Sequence, residues 1–155
     1  MELNEEIYRI KFLLKENTEP YKIRVLSDMN TERGFCVYYL NENNSVIGVV
    51  TLTDLNNVLT NNEFEKDVYS LHENYDKKEE TAYLHSIVVE GPFRQQGYGK
   101  KLVKECENVA RNSGYKKISA IVKKNNLPSQ TMFKNLGYTI KDSKDKKDLF
   151  VLDLN

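Results

Sequence analysis

The chemistry-bearing stretch of this chain is Arg94-Gln95-Gln96-Gly97-Tyr98-Gly99-Lys100, a glycine-rich loop between an apolar run ending at Val89 and an amphipathic run beginning at Lys100. Two glycines one residue apart let backbone approach a ligand and turn several N–H groups toward one point. A helix that starts there adds unpaired N-terminal donors and the positive end of its dipole, so the loop is built for an anion such as a pyrophosphate. Arg94 and Lys100 add full charges at either end. Two common phosphate loops are excluded by position. The G-x-x-x-x-G-K-[ST] pattern would need glycine where Arg94 stands and a hydroxyl where Lys101 stands, and the dinucleotide fingerprint would need a third glycine at Leu102. A second candidate group is His85, on the run that leads into the loop. Its ordinary pKa of about 6.5 suits a proton acceptor near neutral pH.

The elements that position these residues follow from periodicity. Ala82 to Val89 reads as a strand, and by period two His85 is expected on the same face as Ile87 and Val89. Leu102, Val103, Cys106, Val109 and Ala110 hold one face of a helix over Lys100 to Asn112, with Gly114 at its C-terminal cap. Ile118 to Val122 is an apolar strand, so strand, loop, helix and strand form one βαβ unit with parallel strands. A short helix from about Ser129 to Leu136 stops at Gly137, and Tyr138 to Lys141 and Leu149 to Leu154 are strands joined by the charged turn 142–147. In the first half, Gly34 to Leu40 and Val46 to Leu52 form a hairpin through the turn-forming residues 41–45. Tyr21 to Leu26 alternates as a strand, residues 5–15 lean toward strand, and residues 54–80 carry one or two short helices.

Composition bounds the class. A chain of 155 residues is expected to form one domain spanning 1–155, burying roughly 70% of its unfolded surface. The acidic N-terminus and the lack of a long apolar run suggest a cytoplasmic protein without a membrane span. Cys36 and Cys106 have neither metal nor redox spacing and are expected to be reduced, packed thiols, and no metal site is expected. The net charge is zero, yet residues 1–80 hold 9 Lys+Arg against 16 Asp+Glu, and residues 81–155 hold 14 against 7. The basic half carries the anion loop, and the acidic half could present an electronegative face to a cationic substrate. A nucleic-acid binder would show a net basic domain, which this chain does not.

Arg94-Gln95-Gln96-Gly97-Tyr98-Gly99 fits [RQ]-x-x-G-x-[GA] and resembles the acetyl-CoA loop of the GNAT (Gcn5-related) N-acetyltransferase superfamily. Asn126 to Tyr138 resembles the family's N-x-x-[AS]-x-x-x-[YF]-x-x-x-G-[FY] motif, in the expected place after the next strand. The two motifs cover about residues 81–140. The resemblance implies an α/β fold with a mixed, mostly antiparallel central sheet of 6–7 strands flanked by helices, its one parallel βαβ unit carrying the acetyl-CoA loop.

It also implies a site. The backbone of Ile87 and Val89 would pair with the pantetheine arm as an added strand. Amides from Gln96 to Lys100, helped by Arg94 and by Gln95, Gly97, Tyr98 and Gly99 of the loop, would hold the pyrophosphate. Asn126 and Ser129 would contact the cofactor from the other side, or cap the short helix. Phe133 would stand beside the thiol end, where many members carry a tyrosine thought to protonate the leaving thiolate. Phenylalanine cannot donate a proton, so Tyr138, Tyr98 or water is left for that task. His85 resembles a histidine of the arylalkylamine N-acetyltransferases, and Tyr83, near where other members place a glutamate, could orient a water. The implied activity is acetyl transfer to a primary amine of a small molecule or peptide by a monomer or homodimer. The alternative is an acyl-CoA-binding regulatory module with weak or no turnover.

Overall fold

The computed structural model describes residues 22–27, 35–42, 45–59, 66–89 and 95–155. The strand expected over residues 5–15 and the loop residue Arg94 lie outside them. Among the described residues seven strands form one sheet: β1 (Lys22–Ser27), β2 (Phe35–Glu42), β3 (Ser45–Asp54), β4 (Thr81–Val89), β5 (Lys117–Lys123), β6 (Thr139–Lys144) and β7 (Lys147–Asp153). They are ordered β1-β2-β3-β4-β5-β7-β6, and all neighbours are antiparallel except β4 and β5. The mixed α/β architecture and the parallel βαβ unit are those expected. The β2–β3 hairpin pairs as far as Glu42 with Ser45, so its connection is shorter than the sequence suggests.

Helices cover both faces. Helix α3 (Tyr98–Asn112) and helix α4 (Leu127–Asn135) lie on one face, where Leu102, Val103, Cys106 and Phe133 pack on Val50, Leu52, Leu84, Ile118 and Phe150. Helices α1 (Leu55–Leu59) and α2 (Lys66–His72) cover the other, where Leu55, Val58, Val68 and Leu71 meet Tyr83, Leu149 and Val151. Residues alternate between the two cores along β5 and β7, as period two requires. Buried Cys106 is a packed thiol.

Both helices of the first layer end alike. Gly114 and Gly137 have φ of +91° and +93°, and in each case the next residue's N–H reaches back five positions: Tyr115 to the Ala110 carbonyl at 2.9 Å, Tyr138 to the Phe133 carbonyl at 3.0 Å. This is the Schellman closure, which needs a left-handed residue and is completed by an apolar contact across the turn. In α4 that contact is the edge-to-face pair of Phe133 and Tyr138, ring centres 5.0 Å apart. The spacing of Phe133, Gly137 and Tyr138 is thus explained by the helix end alone.

Two irregularities shape the site. Thr51 pairs with Ser86 but Leu52 pairs with Leu84, which leaves His85 as an extra residue, a β-bulge. A bulge reverses the alternation: Ala82 and Leu84 face α3 before it, and Ile87 and Val89 face α3 after it. His85 therefore does not share a face with Ile87 and Val89, and the period-two expectation is corrected. The second irregularity follows at once. The β4–β5 ladder runs from Thr81 with Lys117 to Leu84 with Ala120 and stops, although β4 continues to Val89 and β5 to Lys123. Past the bulge the two parallel strands form a fork.

The final hairpin also differs from expectation. Pairing extends to Lys144 with Lys147, so the turn is two residues rather than six, with Asp145 at φ +48°. Charged residues tolerate this because they are used: Lys144 donates to the Ser70 carbonyl at 2.8 Å, and Lys147 pairs with Asp67 at 2.8 Å, both on α2.

Candidate functional site

A cavity of about 890 Å³ opens between the part of β4 beyond its ladder with β5, the N-terminus of α3 and one side of α4. Ile87 and Val89 form its strand wall, and Gln95, Gly97, Tyr98, Gly99 and Lys100 form the loop and first helical turn. Asn126 and Ser129 stand opposite, with Pro128, Thr131, Met132 and Asn135 of the same helix.

Local chemistry explains the loop. Gly97 caps α3 at φ +85°, a region that L side chains rarely enter, and its carbonyl accepts the first intrahelical bond from Lys101 N–H at 3.2 Å. The first-turn amides, those of Gly99 and Lys100 among them, therefore precede the helical ladder and sit at the positive end of a 15-residue dipole. Gln95 also has positive φ, +63°, which is uncommon for a non-glycine residue and gathers at ligand-binding turns. Gly99 serves space rather than φ: a Cβ there would stand 3.5 Å from Met132 Sδ and 3.9 Å from Ile87 Cδ1. Its missing side chain leaves that part of the cavity floor open.

Opposite the loop, the Asn126 side chain accepts from Ser129 N–H at 3.3 Å and caps α4, and Pro128 occupies the first turn, where proline is favoured. This cap starts the helix two residues earlier than the sequence expectation. Asn126 and Ser129 both line the cavity while serving the cap.

The structure gathers Ile87, Val89, Gln95, Gly97, Tyr98, Gly99, Lys100, Asn126 and Ser129 from the expected set around one cavity. Gln96 is exposed beside the loop but is not in the lining. Phe133 is 2% exposed and stacks on Phe150 at 5.8 Å, so it faces the core. Tyr138 is likewise a core residue: its hydroxyl donates to Glu107 Oε2 at 3.2 Å, and burial holds its phenol far above the usual range. Burial also raises the Glu107 carboxyl, against the pull of that hydrogen bond and of Arg111 and Lys104. Tyr83 belongs to the opposite core, and exposed His85 lies beside it, ring centres 6.1 Å apart. Pro128, Thr131, Met132 and Asn135 were missed by sequence reasoning. Their i, i+3, i+4, i+7 spacing marks one helical face and was the available signal.

His72, also missed, is fully buried behind the fork. Its Nδ1–H donates to the Val68 carbonyl at 2.8 Å, which leaves Nε2 to accept from the Ser119 hydroxyl at 3.0 Å. Its ring meets Tyr83 edge-on at 5.6 Å. Burial, aided by Lys78, holds its pKa below the ordinary value, against the bond to Val68. The unfolded chain thus binds a proton that the folded one refuses. The stability this group protects is complete above about pH 6.5 and falls as pH drops from there toward the depressed folded value. Thermal melts between pH 7.5 and 5 are expected to show that decline, and His72→Gln is expected to flatten it.

Among the described residues no cluster suited to a metal ion occurs, and no helix is long and apolar enough to cross a membrane. The sequence model of the acetyltransferase (GNAT) family matches residues 1–138. A comparison with curated proteins finds no match. Among solved structures, the acetyltransferase of GNAT family from Streptococcus pneumoniae is similar at 14% identity and a TM-score of 0.60, covering 81% of this chain and 70% of that one. The PaiA N-acetyltransferase of Thermoplasma acidophilum, solved in complex with coenzyme A, is similar at 13% identity and a TM-score of 0.58, covering 77% and 60%. YncA from Salmonella typhimurium, solved with its cofactor acetyl-CoA, is similar at 20% identity and a TM-score of 0.56, covering 79% and 66%. The chain thus spans 60–70% of the length of these three, and at such identities the likeness is one of fold.

Proposed function

The chain belongs to the GNAT acetyltransferase family, and from that premise we propose that it transfers an acetyl group from acetyl-CoA to a primary amine of a small molecule or peptide in the cytoplasm. The observation that carries this reading is the fork: β4 leaves β5 after Leu84, and its last residues line a cavity headed by the N-terminus of α3. An extended pantetheine arm added along Ile87 to Val89 would continue the sheet where β5 has left it. The pyrophosphate would lie on the Gly97 to Lys100 amides, with Lys100 supplying charge. Bound there, acetyl-CoA supplies the thioester. The cavity's residues fit that cofactor at both ends: an open strand edge for an amide-bearing chain and a helix N-terminus for an anion.

The chain's own work is to bring an uncharged amine to that thioester and to take its proton. An alkylamine of pKa about 10.4 is almost wholly protonated at neutral pH, so a proton acceptor is required. The bulge turns His85 to the face opposite Ile87 and Val89, clear of the cofactor wall and on the side of the fork from which an amine would enter. We assign His85 as the base, with Tyr83 beside it to orient the ring or a water. The acidic balance of residues 1–80 favours a cationic acceptor.

A second reading, an acyl-CoA-binding module without turnover, is favoured by Phe133. It offers no proton to a leaving thiolate and faces the core. Mass spectrometry after incubation with acetyl-CoA and a panel of amines separates the two. Acetylated product with release of CoA is expected, whereas saturable CoA binding with no product from any amine establishes the module.

Gly97→Val tests the loop. A Cβ at Gly97 meets nothing within 4 Å, so the penalty comes from φ +85° and not from crowding. A β-branched residue held there costs about 1–3 kcal/mol. Acetyl-CoA binding is therefore expected to weaken roughly 5- to 150-fold by calorimetry. Gly97 is exposed, so the loop relaxes and the melting temperature changes little.

A further inference from the structure

We infer that Gln130 is a positioning residue for the acetyl-CoA wall: its bonds to Asp148 and Lys123 hold α4 at the rotation that presents Thr131, Met132 and Asn135 to the cavity. The inference rests on the acetyl-CoA reading above. At nine residues α4 is too short to be stable by itself, so its placement is set by what it packs against. Phe133 supplies apolar adhesion, which has little directionality, whereas hydrogen bonds from a buried amide are directional.

Gln130 is 7% exposed and does not line the cavity. Its Nε2 has two hydrogens and two acceptors, the Lys123 carbonyl at 3.3 Å and Asp148 Oδ2 at 3.1 Å. Asp148, 6% exposed, accepts at its other oxygen from the Ser143 hydroxyl at 2.6 Å and lies 3.9 Å from Lys124 Nζ. One amide thus ties the helix to the end of β5, to β7 and, through Asp148, to β6. Methionine would fill the same volume with no polar group to desolvate, so adhesion alone does not account for a glutamine here. A buried network of directional hydrogen bonds instead selects one arrangement of the elements that it joins.

The test is acetyl-CoA affinity by calorimetry at 15 °C, at pH 8 and pH 5.5, for the wild type, Gln130→Glu and Gln130→Met. Gln130→Glu keeps the shape, removes both donors and sets a second carboxylate against Asp148, with Lys124 as the neighbouring cation. Two carboxylates at hydrogen-bond distance repel when both are ionised and share a proton at lower pH. Relative to wild type at the same pH, the Glu variant is expected to bind about tenfold more weakly at pH 8 and within about threefold at pH 5.5. The Met variant, which is uncharged and carries the test should the Glu variant fail to fold at pH 8, is expected to bind several-fold more weakly by the same factor at both pH values. Variants that melt earlier but bind as the wild type does would make Gln130 structural only and overturn the inference. A wild type that does not bind acetyl-CoA removes the cofactor reading and the inference together.

Discussion

His85→Ala is expected to lower kcat/KM for the best amine acceptor by about 10²–10⁴-fold, the usual worth of a positioned proton acceptor, while leaving the affinity for acetyl-CoA unchanged. The separation of the two effects follows from the bulge. The extra residue turns the His85 ring away from the face of Ile87 and Val89, so its removal takes nothing from the cofactor cavity. The loss should be deepest near neutral pH, above the ordinary imidazole pKa of about 6.5 and well below that of the amine, where an unprotonated ring can accept the proton that the amine still carries. It should shrink as the pH approaches the amine's own pKa of about 10.4. A pH–rate profile of the variant that parallels the wild type would count against His85 as the base.

Phe133→Ala is expected to destabilise the fold by about 3–5 kcal/mol, the range for a buried phenylalanine truncated in a packed core. In a chain of this size that corresponds to a melting temperature lower by roughly 6–20 °C. The ring is 2% exposed and is held between Tyr138 and Phe150. It also closes the Gly137 helix end, so alanine opens a void and loosens the C-terminus of α4 at once. Thermal melts by circular dichroism measure this directly. A change of less than about 1 kcal/mol would mean that the core relaxes into the void or that the ring is not packed as described.

How much of this was legible in the sequence depended on how local the cause was. The loop, the α3 stripe, the glycine stops at Gly114 and Gly137, and the β4–α3–β5 unit were readable because φ preference and helical period act within a few residues. The bulge at His85 was not readable. It is a property of the register between β3 and β4, and nothing in Leu84-His85-Ser86 signals the extra residue. The period-two argument that placed His85 with Ile87 failed there, and the fork that makes the cavity was hidden for the same reason. The two-residue turn at Asp145-Lys146 was obscured because charged residues 142–147 looked like solvated turn chemistry. Their partners Ser70 and Asp67 lie more than 70 positions earlier. Gln130 falls at an unspecified position of the Asn126 to Tyr138 motif, although its buried partners constrain it.

The central claim, that acetyl-CoA occupies the fork between β4 and β5 at the N-terminus of α3, is tested most directly by two-dimensional amide NMR of the protein titrated with acetyl-CoA. Saturable shifts of Ile87, Gly97, Gly99, Lys100 and Ser129 are expected, with the amides of Tyr75 and Leu149 on the opposite face unmoved. Saturation without movement of the Gly97, Gly99 and Lys100 amides, or no saturable shift at all, would contradict it.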